Sequence, residues 1–324
     1  MNAMTRNPAR HAPYLVLTAV LLLGVLLIAD VGGMRPTLDA QAAKKKKEPK
    51  LDLTALPLGD GRVISSNPRR GYLLSCQTSF TGGGASVNGP WIHGTTYDLT
   101  AKYLVDGAVG WPASSSVSIS PSGVTIAGNG LPDHPTGVFP ISRFDDAYLI
   151  DRNPNSIKSY TLNKTLNGSP RKLGPQCEGG TIGIAKNGIP IFNALDAAGH
   201  DAVAHEVQDS CGGHPQQAGV YHYHGLPPCI ETGGKKKHSG IVGWALDGFP
   251  IYGPRGEGGD YLSNKELDVC QGTKDEVSYD GKKRRMYHYV ANYEFPYTVG
   301  CFQGTPATGM IGPAGQQGGP PAAP

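Results

Sequence analysis

An alternation of aromatic and histidine residues is the most regular pattern in the chain. The stretch GVYHYHGLPPC (219–229) alternates tyrosines with histidines before Gly and Pro residues end the run: Tyr221, His222, Tyr223 and His224. A period of two is the period of a β-strand, in which successive side chains point to opposite faces. The pattern therefore predicts a strand with both tyrosines packed in the core and both histidines on the opposite face.

Three similar segments predict repeated β-hairpins. TIAGNGLPDH (125–134), GIAKNGIPIF (183–192) and GWALDGFPIY (243–252) each place Asn-Gly or Asp-Gly between apolar stretches. These dipeptides favour two-residue hairpin turns, because both turn positions need positive φ. The stretch YHYHGLPPC after the second segment is matched by YHYVANYEFPYTVGC (287–301) after the third. The repetition indicates duplicated β modules on a shared core, with turns at Asn129, Asn187 and Asp247.

The patterning along the whole chain predicts an all-β fold, mostly antiparallel and sandwich-like, with little helix. The best helix candidate is NALDAAGHDAVAHEVQD (193–209), and the 46 glycines and 27 prolines agree with a loop-rich β protein. Residues 43–64 are expected to form a charged linker and residues 303–324 a disordered Gly/Pro-rich tail. The β domain is therefore expected to span residues 65–302.

The N-terminus has the pattern of an export segment. Basic residues precede an apolar run over residues 14–29, and the sequence AQA at 40–42 offers a small-residue cleavage site. Residues 1–42 are thus expected to be a signal peptide or an N-terminal membrane anchor, and both alternatives stay open. Either one places the bulk of the chain in the periplasm, at the cell surface or in the medium. Membrane association is expected through this segment only.

The six cysteines are an even number in a chain that is expected to be exported, which favours disulfides over thiolate chemistry. None of them lies in a CxxC arrangement, so a zinc-thiolate or redox-active site is not indicated. The sequence leaves the pairing open. The pairs favoured by proximity along the chain are Cys211 with Cys229, Cys270 with Cys301 and, by remainder, Cys76 with Cys177.

The charge balance gives no electrostatic case for a nucleic-acid partner. There are 29 Lys and Arg residues against 26 Asp and Glu residues, a net charge of +3, whereas nucleic-acid-binding faces are strongly basic. Local basic clusters at 44–47, 235–237 and 282–285 are typical of solvated loops. The sequence also lacks a GxSxG motif, a phosphate-binding loop and a Cys/His nucleophile arrangement.

Histidines inside the repeated motifs are candidate metal ligands. His222 and His224, two residues apart on a strand, can bind one ion. The disulfide predicted around this strand would hold His214 near them, and three imidazoles suffice for a metal site with an open position. His288 on the equivalent strand could supply a fourth ligand. The full candidate set is His93, His134, His214, His222, His224 and His288.

The residue types also limit the metal and the other candidates. Imidazole-rich sites suit zinc or copper, whereas calcium and magnesium prefer oxygen ligands. His200 and His205 are five residues apart, which is not a same-face helix spacing, and HEVQD lacks the second histidine of an HExxH motif. Both are therefore expected at the surface. Asn187 and Asp247 are explained by their turns.

Four linked motifs resemble one known family. DSCGGHPQQAGVYHYHGLPPC, GWALDGFPIYGP, LDVCQG and YHYVANYEFPYTVGCFQG are similar to the YHYH-domain family of exported proteins, over roughly residues 85–302. The resemblance implies a β-rich domain outside the cytoplasm and assigns no activity. Val290 departs from the repeated motif, because it stands where the second histidine would be.

Three classes of function are compatible with these patterns. The first, which they favour, is an exported, disulfide-stabilised β protein that binds zinc or copper through a histidine cluster around the YHYH motif. The second is a metal-dependent secreted enzyme, an oxidoreductase or a hydrolase. The third is a cell-surface structural or binding module whose histidines only form hydrogen bonds. Whether the chain is an enzyme, and its oligomeric state, are left open.

Overall fold

The computed structural model describes residues 51–80, 82–230, 232–233 and 236–308. The chain is mostly β, with 30% strand and 3% helix, which confirms the all-β class. The predicted export segment (1–42) lies outside the described residues. Within them, none of the helical segments has the length and apolar character that crossing a bilayer requires.

Sixteen strands, one helical turn and one 3₁₀ turn make up the regular structure of the described residues. In chain order they are β1 (Leu56–Pro57), β2 (Val63–Ile64), β3 (Leu73–Leu74), β4 (Ile92–His93), β5 (Thr96–Tyr97), β6 (Ser115–Ser120), β7 (Gly123–Gly128), the 3₁₀ turn (Asp146–Leu149), β8 (Leu162–Asn167), β9 (Thr181–Ala185), β10 (Pro190–Phe192), α1 (Ala202–His205), β11 (Gly213–Pro215), β12 (Tyr221–Tyr223), β13 (Ile241–Ala245), β14 (Pro250–Tyr252), β15 (Gly272–Tyr279) and β16 (Lys282–Val290).

Eight of these strands form the central sheet, in the order β11-β12-β10-β9-β13-β14-β16-β15. Two antiparallel hairpins, β9–β10 and β13–β14, meet in the middle through an antiparallel β9–β13 pair. Each hairpin is extended outward by a parallel strand, β12 or β16, and then by an antiparallel edge strand, β11 or β15. The order of pairing is therefore the same from both edges. We call β9–β12 the first half of the sheet and β13–β16 the second half.

The second and third predicted hairpin turns are present, with a different turn geometry from the one predicted. In the β9–β10 loop the Gly188 amide donates to the Ala185 carbonyl (2.9 Å). Gly188 (φ 81°) and Gly248 (φ 91°) have positive φ, whereas Asn187 and Asp247 do not. Each connection is thus a three-residue loop that needs a left-handed residue only at its glycine.

The first predicted hairpin, at Asn129, is wrong. β7 ends just before Asn129, and its partners in a separate three-stranded sheet are β6 and β8. The Asn129 side chain instead accepts from the Ser114 amide (3.0 Å) and donates to the Pro112 carbonyl (2.7 Å). Because this side chain is bonded to the segment before β6, Asn-Gly here closes no hairpin.

The helix predicted over residues 193–209 is reduced to the single turn α1. The Asp196 carboxylate accepts from the backbone amides of Ala198 (2.9 Å) and His200 (2.8 Å), and Gly199 has φ 85°. Such local side-chain bonds compete with helix formation. α1 begins only after this loop, where Asp201 accepts from the Ala204 amide as its N-cap.

All three predicted disulfides are present: two join cysteines that are close along the chain, and the third joins the remaining pair. They are Cys76–Cys177, Cys211–Cys229 and Cys270–Cys301, and no described cysteine is free. The second bridge closes the loop that carries β11 and β12. Disulfides of this kind form and persist outside the cytoplasm, which fits the expected export of the chain.

The β-rich part of the chain is longer at both ends than residues 65–302. β1 and β2 lie in the segment expected to be a linker. Leu56 is buried with Trp91 and Tyr97 in a hydrophobic cluster that is separate from the main one. At the other end, the Ala307 amide donates to the Leu246 carbonyl (2.8 Å). Most of the predicted disordered tail (309–324) lies outside the described residues.

Candidate metal centre

The first three residues of the YHYH motif form β12 and His224 follows directly after it, with the tyrosines of the motif in the core. Tyr221 and Tyr223 are fully buried in the largest hydrophobic cluster, as predicted from the alternation. Their hydroxyls are satisfied there: Tyr221 donates to the Asp209 carboxylate (2.8 Å), and the Asn187 amide donates to the Tyr223 hydroxyl (3.1 Å). This anchoring turns the alternate residues of the strand toward the opposite face.

Three histidines meet on that face. On the edge strand β11, His214 is the register partner of His222, so the predicted proximity of these two residues is confirmed. One ligand nitrogen from each of His214, His222 and His224 lies within 4.8 Å of the others, and each residue is only 3% exposed. The disulfide around β11 and β12 and the stacking of Phe192 on the His222 ring (centroids 4.0 Å) hold this arrangement in place.

Backbone carbonyls orient two of the three rings. His222 Nδ1 lies 3.1 Å from the Val220 carbonyl oxygen, and His224 Nδ1 lies 2.5 Å from that of Asn193. A carbonyl oxygen only accepts, so each Nδ1 carries the proton and donates it. The Nε2 atom of each neutral ring is left with a lone pair that can bind a metal, which is the usual arrangement of a metal-ligating histidine.

These two Nε2 atoms lie 3.0 Å apart. A hydrogen bond between them needs a proton on one Nε2, and that ring would then be a buried imidazolium. Burial opposes this state: it lowers the pKa of His222 well below its usual range, with the charge of His224 as a further cause, and lowers the pKa of His224 to about 4. Two neutral rings that both donate from Nδ1 bring two lone pairs together, and a cation bound by both nitrogens would relieve this contact.

His214 is the third nitrogen donor and is held less firmly. Its Nδ1 lies 3.5 Å from the Asn153 amide nitrogen, too far for a strong hydrogen bond. Its Nε2 is buried without a hydrogen-bond partner. Burial, followed by the charges of His222 and His224, lowers the pKa of His214 well below its usual range, so this ring too is neutral at pH 7.

Glu206, which the sequence interpretation did not include, supplies a carboxylate beside these rings. Its Oε2 lies 3.4 Å from His214 Nε2 and 3.3 Å from His224 Nε2, and it has no hydrogen-bond partner. Burial, and then the nearby Asp151 and Asp196, raise the pKa of Glu206 well above its usual range. A buried carboxyl group at this position is stabilised in its ionised form by a bound cation.

Three of the separations among these four donor atoms are close to those within one coordination shell. Donors held about 2.0–2.1 Å from a tetrahedral ion are about 3.3 Å apart. The measured separations are 3.0 Å between His222 and His224, and 3.3 and 3.4 Å from Glu206 to the neighbouring histidines. His214, His222 and His224 can therefore hold one transition-metal ion, and Glu206 lies close enough to two of these rings to serve as an oxygen donor.

A cleft of about 730 Å³ opens beside the four donors and has all of them in its wall. Its remaining lining combines apolar residues such as Phe80 and Leu195 with polar residues that include Arg152, Gln216 and Gln217. A small polar molecule in this cleft would lie next to the donor atoms.

The other predicted ligands lie elsewhere. His134 donates from Nδ1 to the Pro135 carbonyl (2.9 Å) and accepts at Nε2 from the Tyr223 hydroxyl (2.6 Å), so both nitrogens are in use. Two sulfur atoms lie within 4.8 Å of a His134 ring nitrogen, but they form the Cys211–Cys229 disulfide and are not thiolates. His93 is exposed on β4, outside the groups of close ligand atoms found among the described residues.

His288 does not supply a fourth ligand to the first cluster. It lies on β16, five inter-strand steps from β12 in the sheet, or about 24 Å at the usual strand spacing. The expectation that His205 is a surface residue is also wrong: its ring is buried and its Nε2 lies 2.9 Å from the Asp60 carboxylate. His200 is exposed, as expected.

Comparison with known protein families gives one match, over part of the chain. Residues 161–260 match the family model described as YHYH protein. The chain carries a YHYH domain. No curated protein and no solved structure shows significant similarity to the chain.

The matched YHYH domain contains all four donors of the cluster, together with the strands β8–β14. It ends before β15 and β16, so the second copy of the motif at 287–290 lies outside it. The resemblance seen over residues 85–302 is thus wider than the match. The central sheet continues beyond the YHYH domain through the second half.

Proposed function

We propose that the chain is a transition-metal-binding protein that acts outside the cytoplasm, with zinc or copper bound by His214, His222, His224 and Glu206. The observation that carries the proposal is the 3.0 Å separation of two Nε2 atoms on rings that both donate from Nδ1. A hydrogen-bonded structural role for these rings leaves that contact unexplained, because a neutral pair has no proton to place there.

The donor set supports the choice of metal. Three imidazoles and one carboxylate suit zinc, copper and the neighbouring first-row ions, whereas calcium and magnesium prefer sites built from oxygens. The three disulfides support the compartment, since such bonds are typical of periplasmic, cell-surface and secreted proteins.

A metal-dependent enzyme is the second candidate function, and the cleft beside the donors favours it. Catalytic metal sites keep one position open to substrate or water. The weakly held His214 and the polar groups of the cleft wall would allow such a position. The substrate would then be a small polar molecule that fits about 730 Å³.

Metal content tests the proposal. The purified full chain, with its disulfides oxidised, is stripped with a chelator, loaded with Zn²⁺ or Cu²⁺ and dialysed against metal-free buffer. Bound metal is then counted by mass spectrometry. We expect one tightly held ion per chain, which the double variant His222→Ala/His224→Ala loses.

The matched control is His93→Ala, which removes an exposed histidine and should retain the ion. Equal metal content in wild type and the double variant would overturn the proposal, as would a wild-type chain that holds no metal after loading. Turnover of a small-molecule substrate by the loaded wild type alone would favour the second candidate.

A further inference from the structure

A second group of ligand atoms lies in the second half of the sheet. His238, Asp275 and His288 each offer one donor atom, and these atoms lie within 4.8 Å of one another. His288 is fully buried, whereas His238 and Asp275 are partly exposed. Of these three residues only His288 was predicted from the sequence to be a metal ligand, and it was predicted for the first cluster; His238 and Asp275 were not predicted.

The two imidazoles repeat the orientation seen at the YHYH motif. His238 Nδ1 lies 2.8 Å from the Ser239 carbonyl oxygen, and His288 Nδ1 lies 3.2 Å from that of Met286. Both Nδ1 atoms therefore donate, and both Nε2 atoms carry lone pairs. Each Nε2 is buried without a hydrogen-bond partner. A buried, unpaired nitrogen is costly unless a ligand occupies it.

Strand register explains how the three residues meet. Thr273 on β15 is the partner of His288 on β16, and alternation along β15 places Asp275 on the same face as Thr273. His238 reaches this face from the loop before β13. The Tyr252 ring packs edge-on against both imidazoles, with centroids 5.2 Å from His238 and 4.9 Å from His288.

We propose that His238, Asp275 and His288 form a second, separate site for a divalent transition-metal ion. Two imidazoles and one carboxylate are a recognised donor set for such ions and leave coordination positions for water. The proposal does not depend on the first cluster, since the two sites share no residue and lie about 24 Å apart by strand spacing.

The second site should bind its ion more weakly than the first. It offers two imidazoles where the first offers three, and two of its donors are partly exposed to solvent, whereas all three histidines of the first are buried. The ion in the second site should therefore exchange with the buffer during dialysis, while the ion in the first site stays.

Zinc counting at saturation tests the second site. The oxidised full chain is equilibrated with an excess of free Zn²⁺, and bound zinc is measured in the protein compartment by equilibrium dialysis. We expect two ions in wild type and in His93→Ala, and one ion in His288→Ala, in Asp275→Asn and in the double variant His222→Ala/His224→Ala. After dialysis against metal-free buffer, wild type should keep one.

The variants separate this proposal from the one above. One ion in wild type, lost in His222→Ala/His224→Ala and unchanged in His288→Ala and Asp275→Asn, would overturn the second site and leave the first. One ion lost only in His288→Ala and Asp275→Asn would do the reverse.

Because His288 is fully buried, its variant could fail to fold. Asp275 is partly exposed, so Asp275→Asn decides the question in that case, provided that its thermal unfolding in chelator matches that of wild type. Two ions in a folded Asp275→Asn chain would contradict the proposal.

Discussion

The two halves of the central sheet share one frame and present different chemistry on it. Each half has a hairpin closed by an Asn-Gly or Asp-Gly loop, a parallel strand with two buried tyrosines and a disulfide beside it. In each half the tyrosine hydroxyls are bonded to the same two kinds of position, an acidic residue near the first cysteine and the loop residue before glycine. The pairs are Tyr221–Asp209 with Tyr287–Asp268, and Tyr223–Asn187 with Tyr289–Asp247.

On the opposite face the two halves diverge. His222 and His288 occupy equivalent positions, but the register partner of His222 is His214, whereas that of His288 is Thr273. Val290 stands where the first half has His224. Glu206 lies five residues before Cys211, and the residue five before Cys270 is Lys265.

In each half, one face of the parallel strand packs in the hydrophobic core and the opposite face carries candidate metal ligands. Alternation along a strand lets these faces change separately. The tyrosine face keeps the same buried contacts in both halves, whereas the histidine face has four clustered donors in one half and three different ones in the other.

The largest expected contrast is in stability with and without zinc. A ligand that binds only the folded chain stabilises it by about 4 kcal/mol when its free concentration is about 1,000 times Kd. Zinc should thus raise the unfolding temperature of wild type and His93→Ala strongly. In His222→Ala/His224→Ala, zinc should raise the unfolding temperature only by the smaller amount that comes from binding at His238, Asp275 and His288. Calorimetry with zinc and with chelator measures this, and an undiminished zinc effect in the double variant would contradict the account.

The two disulfides beside the parallel strands should have similar effects on stability and different effects on metal binding. Their sequence separations are 18 and 31 residues, so removal of either should cost about 3 kcal/mol of unfolding free energy. Only Cys211→Ala/Cys229→Ala frees the loop that positions His214. We expect this variant to bind zinc at His214, His222 and His224 about 10- to 100-fold more weakly, which is the usual effect of removing a group that positions a metal ligand.

The paired control is Cys270→Ala/Cys301→Ala, which should bind zinc at the His214, His222 and His224 site as tightly as wild type. Competition against a chromophoric zinc chelator, at a temperature where both variants are folded, gives the affinities. Equal losses in the two variants would mean that the first disulfide has no specific role in placing His214.

The smallest expected effect is a difference of about one proton. Burial, and then the nearby Asp151 and Asp196, raise the pKa of the Glu206 carboxyl group, whereas burial lowers the pKa of each of the three histidines. Metal binding thus favours loss of a proton from Glu206 and needs none from the histidines. Zinc binding near pH 7 should therefore release close to one proton more from wild type than from Glu206→Gln. Titration calorimetry in buffers of different ionisation enthalpy counts it. Equal proton release would show that Glu206 is not a ligand.

Local patterns predicted the part of the fold that depends on sequence neighbours. The period of two placed Tyr221 and Tyr223 in the core, and the turns at Asn187 and Asp247 follow from the residues that form them. Close spacing along the chain favoured two of the three disulfides, because a short loop brings its own ends together, and the third followed as the remaining pair.

Contacts between distant segments account for what could not be predicted. Asn129 resembles the other two turns, but its side chain bonds to the segment before β6, which no local pattern indicates. Glu206 has no local signal of a metal ligand, because HEVQD lacks the second histidine of an HExxH motif. Its approach to His214 and His224 depends on how the loop around α1 folds over the sheet. The separation of His288 from the first cluster follows from the strand order alone.

Anomalous diffraction from crystals of the zinc- or copper-loaded chain would locate the bound ion and decide whether the YHYH histidines are its ligands. The account predicts a peak at the metal absorption edge within about 2.0–2.1 Å of the Nε2 atoms of His222 and His224, with His214 and Glu206 completing the shell. A loaded crystal with no peak between these two rings, or with a water molecule or a protein donor there instead, would contradict it.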